Sequence, residues 1–179
     1  MKNYWRDLIL RYAILVLLSI GNLYIIYLIF GPVTVKISYF ILDILYDAYL
    51  IGENTILFNG IYAKIINACV AGSAYFLLLA LNLTTPMKIK TRLMSILFIL
   101  LAFLALNIAR IVIFASLFYI GYEYFDFTHK FVWYIGSTVL VIGVWFINVK
   151  IFKIKKIPVY NDFKLFYAKY INSRDNLKK

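Results

Sequence analysis

Residues 93–120 read LMSILFILLAFLALNIARIVIFASLFYI and form the longest apolar run of the chain. A helix needs about 20 predominantly apolar residues to cross the hydrocarbon core of a bilayer. This run exceeds that length, and its strongly polar residues are Asn107 and Arg110, both in its second half. The run therefore predicts a membrane-spanning helix, and an intramembrane arginine is by default a candidate functional residue.

The composition of the whole chain agrees with a membrane protein. Of its 179 residues, 64% are hydrophobic and 15% are charged, whereas soluble domains are nearer half apolar and a quarter charged. We therefore predict an all-α membrane protein that forms a single domain, residues 1–179, with about four transmembrane helices. The predicted spans are residues 8–30, 67–83, 93–120 and 131–149, followed by a basic cytoplasmic tail at 150–179.

Basic residues are distributed unequally between the segments that connect these spans. Fifteen lie before or near the start of the first span, between the second and third spans, or in the tail, whereas segments 31–66 and 121–130 hold three. Cytoplasmic segments carry the excess of Lys and Arg. We therefore expect a multi-pass protein of the cell membrane with both termini in the cytoplasm and segments 31–66 and 121–130 outside. The tail is expected to contact anionic membrane lipids and not nucleic acid.

Two elements are predicted in the first outer segment. Residues 33–51 are expected to form an interfacial helix on the outer surface, with Asp43 and Asp47 on its solvated face. Further along, Asn59 and Gly60 stand between short runs rich in β-branched and aromatic residues. An Asn-Gly pair in that setting is the strongest short-range hairpin signal. We therefore expect a small extracytoplasmic β-hairpin at about residues 55–66.

The only cysteine, Cys69, lies in NACVAG at residues 67–72, directly after the predicted hairpin. Asn67 can cap the helix that follows, which places Cys69 in the first turn of the second span at the outer face. The free N–H groups and positive dipole end of a helix stabilise a thiolate or an oxyanion, and small residues such as Gly72 leave room for a substrate backbone. The alternative is an inert packing cysteine. One cysteine excludes an internal disulfide and a multi-cysteine metal site, and we expect neither metal nor cofactor.

Two further residues are predicted at the membrane face of Cys69. Arg110 lies 17 residues after Leu93, about 25 Å along a helix, which is near the outer surface, and Asn107 faces the same way. The alternative for Arg110 is snorkelling or a structural ion pair. His129, the only histidine, opens the fourth span and could act as a general base, although an exposed loop histidine is the alternative. A cysteine nucleophile needs a base and oxyanion donors, and these residues could supply both.

Cys69 in NACVAG, the stretch NIAR at residues 107–110 and His129 in FDFTHKF resemble the exosortase/archaeosortase family of multi-pass membrane transpeptidases in their order and placement. The resemblance covers about residues 55–150, and the chain is most similar to compact, archaeal-type members. It implies Cys69 as nucleophile, Arg110 as electrostatic stabiliser and His129 as base or acid. In one departure from the family, the glycine that often stands two residues after the cysteine stands three after it, at Gly72.

The function that this resemblance implies is the sorting of exported proteins by a sortase-like cysteine transpeptidase or protease. Such an enzyme would recognise a C-terminal signal made of a short motif, a membrane helix and a basic end. It would cleave the protein through a Cys69 acyl-enzyme and pass it to an amine or lipid acceptor. Two other interpretations fit the residues: a non-catalytic membrane assembly or binding protein with Arg110 as ionic anchor, and a thiol acyltransferase that moves a lipid acyl group through Cys69.

Overall fold

The computed structural model describes residues 23–154 and, before them, helical residues at positions 9–10, 12–14, 16–17 and 19. The described part is mostly helical with one small antiparallel sheet. In chain order, the elements from residue 24 onward are α1 (Tyr24–Tyr46), β1 (Tyr49–Ile51), β2 (Thr55–Phe58), β3 (Ile61–Lys64), α2 (Asn67–Val70), α3 (Gly72–Thr84), α4 (Ile89–Tyr119), α5 (Phe125–Phe131), a π-helical turn (Val132–Gly136) and α6 (Ser137–Ile151).

Four helical stretches of the described residues are long and apolar enough to cross a membrane, as the sequence predicted. They are Tyr24–Tyr46, Asn67–Thr84, Ile89–Tyr119 and Phe125–Ile151. Much of their surface is apolar and exposed: only 28% of the most apolar window is buried in the first and 17% in the fourth. Lipid can cover such surfaces, because hydrocarbon tails are as apolar as the side chains that face them.

The boundaries of the first span and of the interfacial helix were predicted wrongly. The backbone of Leu23 is left-handed, with φ of 63°, and one continuous helix then runs through Tyr24–Tyr46. Residues 33–46 are therefore the second half of α1 and not a separate surface helix. Helix α1 passes through Pro32, because packing around a helix compensates for the lost hydrogen bond. Of the rest of predicted span 8–30, the structure describes helical residues at 9–10, 12–14, 16–17 and 19, separated from α1 by the break at Leu23. The tail beyond Ile154 lies outside the described residues.

The C-terminal end of α1 also changes the interpretation of the two aspartates. Asp47 caps the helix in a left-handed conformation, with φ of 50°, and its backbone N–H donates to the carbonyl of Asp43 at 3.0 Å. The two carboxylates thus mark where α1 ends and the sheet begins. They do not form one solvated face of a continuing helix.

The predicted hairpin is confirmed, and the sheet has a third strand that the prediction missed. Strands β2 and β3 pair antiparallel through Phe58 and Ile61, and the turn residues Asn59 and Gly60 have φ of 46° and 79°. Positive φ at both positions is what a two-residue turn of this type requires. Strand β1 pairs with the other side of β2 through a three-residue turn that contains Gly52, with φ of 64°.

Two apolar clusters hold the elements together. The inner cluster joins α1, α3, α4 and α6 around Tyr75, Ile99 and Phe103, all of them fully buried. The outer cluster joins the second half of α1 to the sheet and to α2 through Leu42, Ile56 and neighbouring side chains. The sheet is thus anchored on the helices, at the end of the bundle where α2 begins.

The opposite end of the bundle is held by buried polar contacts. Arg92, at the start of α4, donates to the carbonyls of Asn82, Leu83 and Thr85, at 2.8, 3.1 and 2.9 Å. These carbonyls belong to the last turn and C-cap of α3, where the helix itself leaves carbonyls without intrahelical donors. The carbonyl of Asn82 also accepts from the backbone N–H of Thr85 at 3.2 Å. Beside them, Ser95 accepts from the Asn82 amide and donates to Asn148, which ties α3, α4 and α6 to one another.

Candidate functional site

A cavity of about 510 Å³ opens at the sheet end of the helix bundle. Its walls come from β2, β3, the segment into α2, the second half of α4, α5 and the π-helical turn. Cys69, Arg110 and His129 all line it. The structure therefore brings together at one cavity the three residues that were predicted from separate parts of the sequence.

The backbone around Cys69 differs from the predicted first turn of a span. Cys69 lies in α2, a helix of four residues that ends at Ala71, whose φ of 59° is left-handed, and α3 begins only at Gly72. The prediction that Asn67 caps this helix is wrong, since the N-cap is Ile66 in an extended conformation and no side chain caps the helix. The reason is that β3 leads directly into α2, so the chain is still extended one residue before Asn67.

This geometry weakens the helix-dipole argument for a thiolate. The dipole effect falls off within one turn, and Cys69 precedes the first residue of the long helix α3 by three positions. In addition, the backbone N–H of Cys69 already donates to the Ile66 carbonyl at 2.8 Å, so it is not free to bind an oxyanion. Any strong positive charge beside the half-buried thiol must come from a side chain.

Arg110 supplies that side chain. One guanidinium nitrogen, Nη2, donates to the backbone carbonyl of Cys69 at 3.3 Å, and the other, Nη1, donates to Oγ of Ser137 at 2.7 Å. The arginine therefore lies at the depth of Cys69, where its position along the helix had placed it. Within the described residues it has no carboxylate partner, in contrast to the ion pair considered for it from the sequence.

Asn107 contacts the same backbone from one turn below Arg110. Its side chain is fully buried, and Nδ2 donates to the carbonyls of Cys69 and Val70 at 2.9 and 3.3 Å. Its Oδ1 has no hydrogen-bond partner among the described residues. Asn107 thus fixes the end of α2 against α4, which accounts for a buried amide in this apolar helix.

His129 is an exposed residue of α5 held by aromatic neighbours. Its ring stacks on Phe125, with centroids 5.5 Å apart and planes 7° apart, and meets Phe114 of α4 edge-on at 5.1 Å. The imidazole is oriented by ring packing and lines the cavity. The acidic residues near it in sequence, Glu123 and Asp126, make no ion pair with it in the described structure.

The other two supporting residues named from the sequence do not line the cavity. Asn67 is exposed. Gly72 is a packing residue: a Cβ built on it would lie 2.6 Å from ring atoms of Tyr27 on α1. Its lack of a side chain allows α1 and α3 to approach closely and leaves no room for a substrate backbone at that point.

Sequence reasoning missed three features of the cavity. One is Ser137, the partner of Arg110. Another is Lys64, at the end of β3, which adds a second cation to the lining. The third is a set of aromatic walls, Phe58, Tyr62, Phe114, Phe118, Phe125 and Trp133. Aromatic enrichment in residues 114–133 was visible in the sequence, but nothing there singled out Ser137.

No group of three or more His, Cys, Asp or Glu side chains that could hold a metal ion occurs in the described residues. The reactive and charged side chains that line the cavity include the Cys69 thiol, the His129 imidazole and the cations Lys64 and Arg110. Comparison of the chain with known protein families, with curated proteins and with solved structures finds no match.

Proposed function

We propose that the chain is a membrane-embedded cysteine transpeptidase or protease of the exosortase/archaeosortase type. The observation that carries the proposal is the meeting of Cys69, Arg110 and His129 at one cavity, with Arg110 bonded to the backbone of the cysteine. A thiol, an imidazole and a guanidinium supply the nucleophile, the proton carrier and the oxyanion donor that acyl transfer needs.

In the proposed reaction, the sulfur of Cys69 attacks the carbonyl carbon of the scissile peptide bond. His129 accepts the thiol proton and later gives it to the departing amine. The oxygen that becomes negative in the tetrahedral intermediate is stabilised by free N–H groups of Arg110, since a guanidinium has five and the structure records two in use. An amine or lipid acceptor then attacks the carbonyl carbon of the resulting thioester and gives its proton to His129. The new acyl bond forms, the C–S bond breaks, and the Cys69 thiolate is released.

The proposed substrates are exported proteins with a C-terminal sorting signal, made of a short motif, a membrane helix and a basic end. The cavity would then face the extracytoplasmic side, with both chain termini in the cytoplasm. The charges support this orientation: the connections at the cavity end, 47–66 and 120–124, hold one lysine and three acidic residues, whereas the opposite end carries Lys88, Lys150 and Lys153. A substrate helix lying beside the bundle would present its motif at the level of Cys69.

A second function is favoured by the character of the cavity walls, which are mostly aromatic and aliphatic. Such a lining would also accept a fatty acyl chain, so a thiol acyltransferase that carries the chain on Cys69 is the alternative enzyme. A non-catalytic protein that uses Arg110 to anchor a partner helix is less supported, because two guanidinium nitrogens are engaged within the chain.

The test is the chemical identity of the group carried by Cys69 in native membranes. Acid-quenched membranes are digested, and the peptide that contains Cys69 is analysed by mass spectrometry before and after hydroxylamine, which cleaves thioesters. A peptide released as its C-terminal hydroxamate supports the transpeptidase and identifies the cleavage site. A fatty acyl hydroxamate supports the acyltransferase instead. No thioester in the wild type, with the same result for Cys69→Ala, contradicts both enzymatic functions.

A further inference from the structure

We propose that Ser137 is a positioning residue for Arg110, and that the π-helical turn before it serves to bring the Ser137 hydroxyl to the guanidinium. The inference rests on the proposed function, because it assigns how the oxyanion donor of that reaction is held. It adds a residue that neither the sequence pattern nor the family resemblance points to.

The guanidinium of Arg110 is held by two contacts. Nη1 is held by the hydroxyl of Ser137 on α6, and Nη2 by the carbonyl of Cys69 on α2. A planar group fixed at two nitrogens by two different elements has one orientation, whereas a single contact leaves it free to rotate. With the plane set by Ser137 and Cys69, the remaining N–H groups of Arg110 have defined directions at the cavity wall.

The helical register around the π-helical turn also supports this role of Ser137. His129 and Ser137 are eight residues apart, which in a regular α-helix would separate them by about 80° around the axis. A π turn adds one residue to the helix, so the two side chains behave as residues seven apart, about 20° from alignment. The turn therefore places both on one stripe of the helix.

The contacts on α4 agree with that register. Phe114 meets His129, and Arg110, one turn earlier on α4, meets Ser137. One face of α4 thus receives both the imidazole and the hydroxyl from the same side of the neighbouring helix. A regular α-helix through residues 132–136 would rotate one of the two away from α4, and the cavity would lose either the base or the support of Arg110.

The consequence for catalysis is specific to reactions that form an oxyanion. A guanidinium displaced by about 1 Å can cost roughly 100-fold in rate, because electrostatic stabilisation depends on donor position. Alkylation of a thiol at an sp³ carbon forms no oxyanion. It depends on the charge of Arg110 beside the thiol, which Ser137→Ala keeps, and not on the direction of the guanidinium N–H groups. Loss of the Ser137 hydroxyl should therefore slow acylation of Cys69 and leave its alkylation unchanged.

The experiment uses the full chain in proteoliposomes with p-nitrophenyl butyrate as the probe. The Cys69 thiolate forms a bond to the butyryl carbonyl carbon, the ester C–O bond breaks, and p-nitrophenolate leaves. Ser137→Ala is expected to slow this acylation by about 10- to 100-fold, while the rate of alkylation by iodoacetamide stays at the wild-type value. Ser137→Thr, which keeps the hydroxyl, should restore acylation. Thr138→Ala is the matched control, since Thr138 is an exposed neighbour that bonds only to the carbonyl of Tyr134.

Two outcomes would overturn the inference. Wild-type acylation in Ser137→Ala would show that the hydroxyl does not position the donor, and an equal loss of acylation and alkylation would show a general disturbance of the site. If wild-type protein shows no acylation of Cys69, the proposed function fails, and the rate at which p-hydroxyphenylglyoxal modifies Arg110 decides about Ser137. Faster modification in Ser137→Ala than in Thr138→Ala supports the contact, and equal rates contradict it.

Discussion

Helix α4 carries a buried or half-buried arginine near each end, and the two differ in what they have left to offer. Arg92 and Arg110 are 18 residues apart, which is five helical turns, so both point from the same side of α4, about 27 Å apart along its axis. Arg92 is 8% exposed and donates to three carbonyls at the end of α3. Arg110 donates to one carbonyl and one hydroxyl and lines a cavity.

A buried arginine in such a bundle is therefore not by itself a functional residue. Around Arg92, carbonyls at the end of α3 accept hydrogen bonds from the guanidinium, which closes that end of the helix and is a structural role. Around Arg110, the carbonyl comes from the residue that also carries the thiol, and open space adjoins the remaining donors. The neighbours of each arginine, and not its depth or charge, distinguish the two ends.

The largest expected effect is on activity at the cavity end. Arg110→Lys keeps the charge but loses the fork, so acylation of Cys69 by p-nitrophenyl butyrate should fall by about 100- to 1,000-fold. The amount of inserted protein should not change, because a lysine can snorkel at that depth. The rate is measured in proteoliposomes and normalised to inserted protein. A wild-type rate in both Arg110→Lys and Arg110→Ala would make Arg110 as structural as Arg92.

The reciprocal change at the other end should affect stability and not chemistry. Arg92→Ala leaves carbonyls of α3 without donors and is expected to destabilise the protein by about 3 kcal/mol, because buried polar groups are costly when unpaired. Thermal unfolding in detergent measures the loss, and acylation per folded molecule should equal that of wild type. A selective loss of acylation at unchanged stability would contradict the assignment of the two ends.

A smaller contrast is expected between the buried amides at the two ends. Asn107→Ala and Asn82→Ala should each cost about 1–2 kcal/mol, since each removes hydrogen bonds from a fully buried site. Only Asn107→Ala should raise the rate at which iodoacetamide alkylates Cys69. It removes the hydrogen bonds to the carbonyls of Cys69 and Val70 that hold α2 against α4. Equal alkylation rates in the two variants would mean that Asn107 does not control the presentation of the thiol.

A stability effect of similar size is expected at the glycine between α1 and α3. Gly72→Ala should destabilise the protein by about 1–3 kcal/mol, because the new Cβ would overlap the ring of Tyr27. The double variant with Tyr27→Ala should recover part of the loss. Gly143→Ala is the control: a Cβ there meets nothing within 4 Å, so its unfolding temperature should be unchanged or slightly higher. Equal behaviour of the two alanine variants would contradict a close approach at Gly72.

Much of the fold follows from the sequence because its signals are local. The apolar run at 93–120 predicts α4 to within a few residues, and Asn59-Gly60 predicts the β2–β3 turn, since both depend on neighbouring residues alone. The start of α1 was placed wrongly because residues 8–46 are apolar almost throughout, and hydropathy has no feature at Leu23 that marks a left-handed residue. Strand β1 was missed because three residues beside a helix carry too little pattern.

In the candidate site, too, the features that depend on local sequence were predicted, and those that depend on neighbouring elements were not. The positions of Cys69, Arg110 and His129 at one end of the bundle follow from counting residues along helices, which is a matter of a fixed rise per residue. The sequence could not predict that Ile66 and not Asn67 caps α2, or that Ala71 separates Cys69 from α3. Both features depend on how β3 enters the helix. The glycine at position 72 was visible, but its role was not, since Tyr27 lies 45 residues away in sequence.

By itself, the sequence determined that the chain is an apolar, helical protein with four candidate spans, a hairpin at Asn59-Gly60 and a thiol, a guanidinium and an imidazole at one end. Composition and helical rise are properties of the chain read residue by residue, so they need no partners. Tertiary structure alone decided that Arg110 donates to Cys69 and Ser137, which are 41 and 27 residues away, whereas Arg92 donates to carbonyls at the end of α3. Hydrogen bonds between distant residues depend on which helix faces meet. The one residue that a π-helical turn adds is enough to change which faces meet.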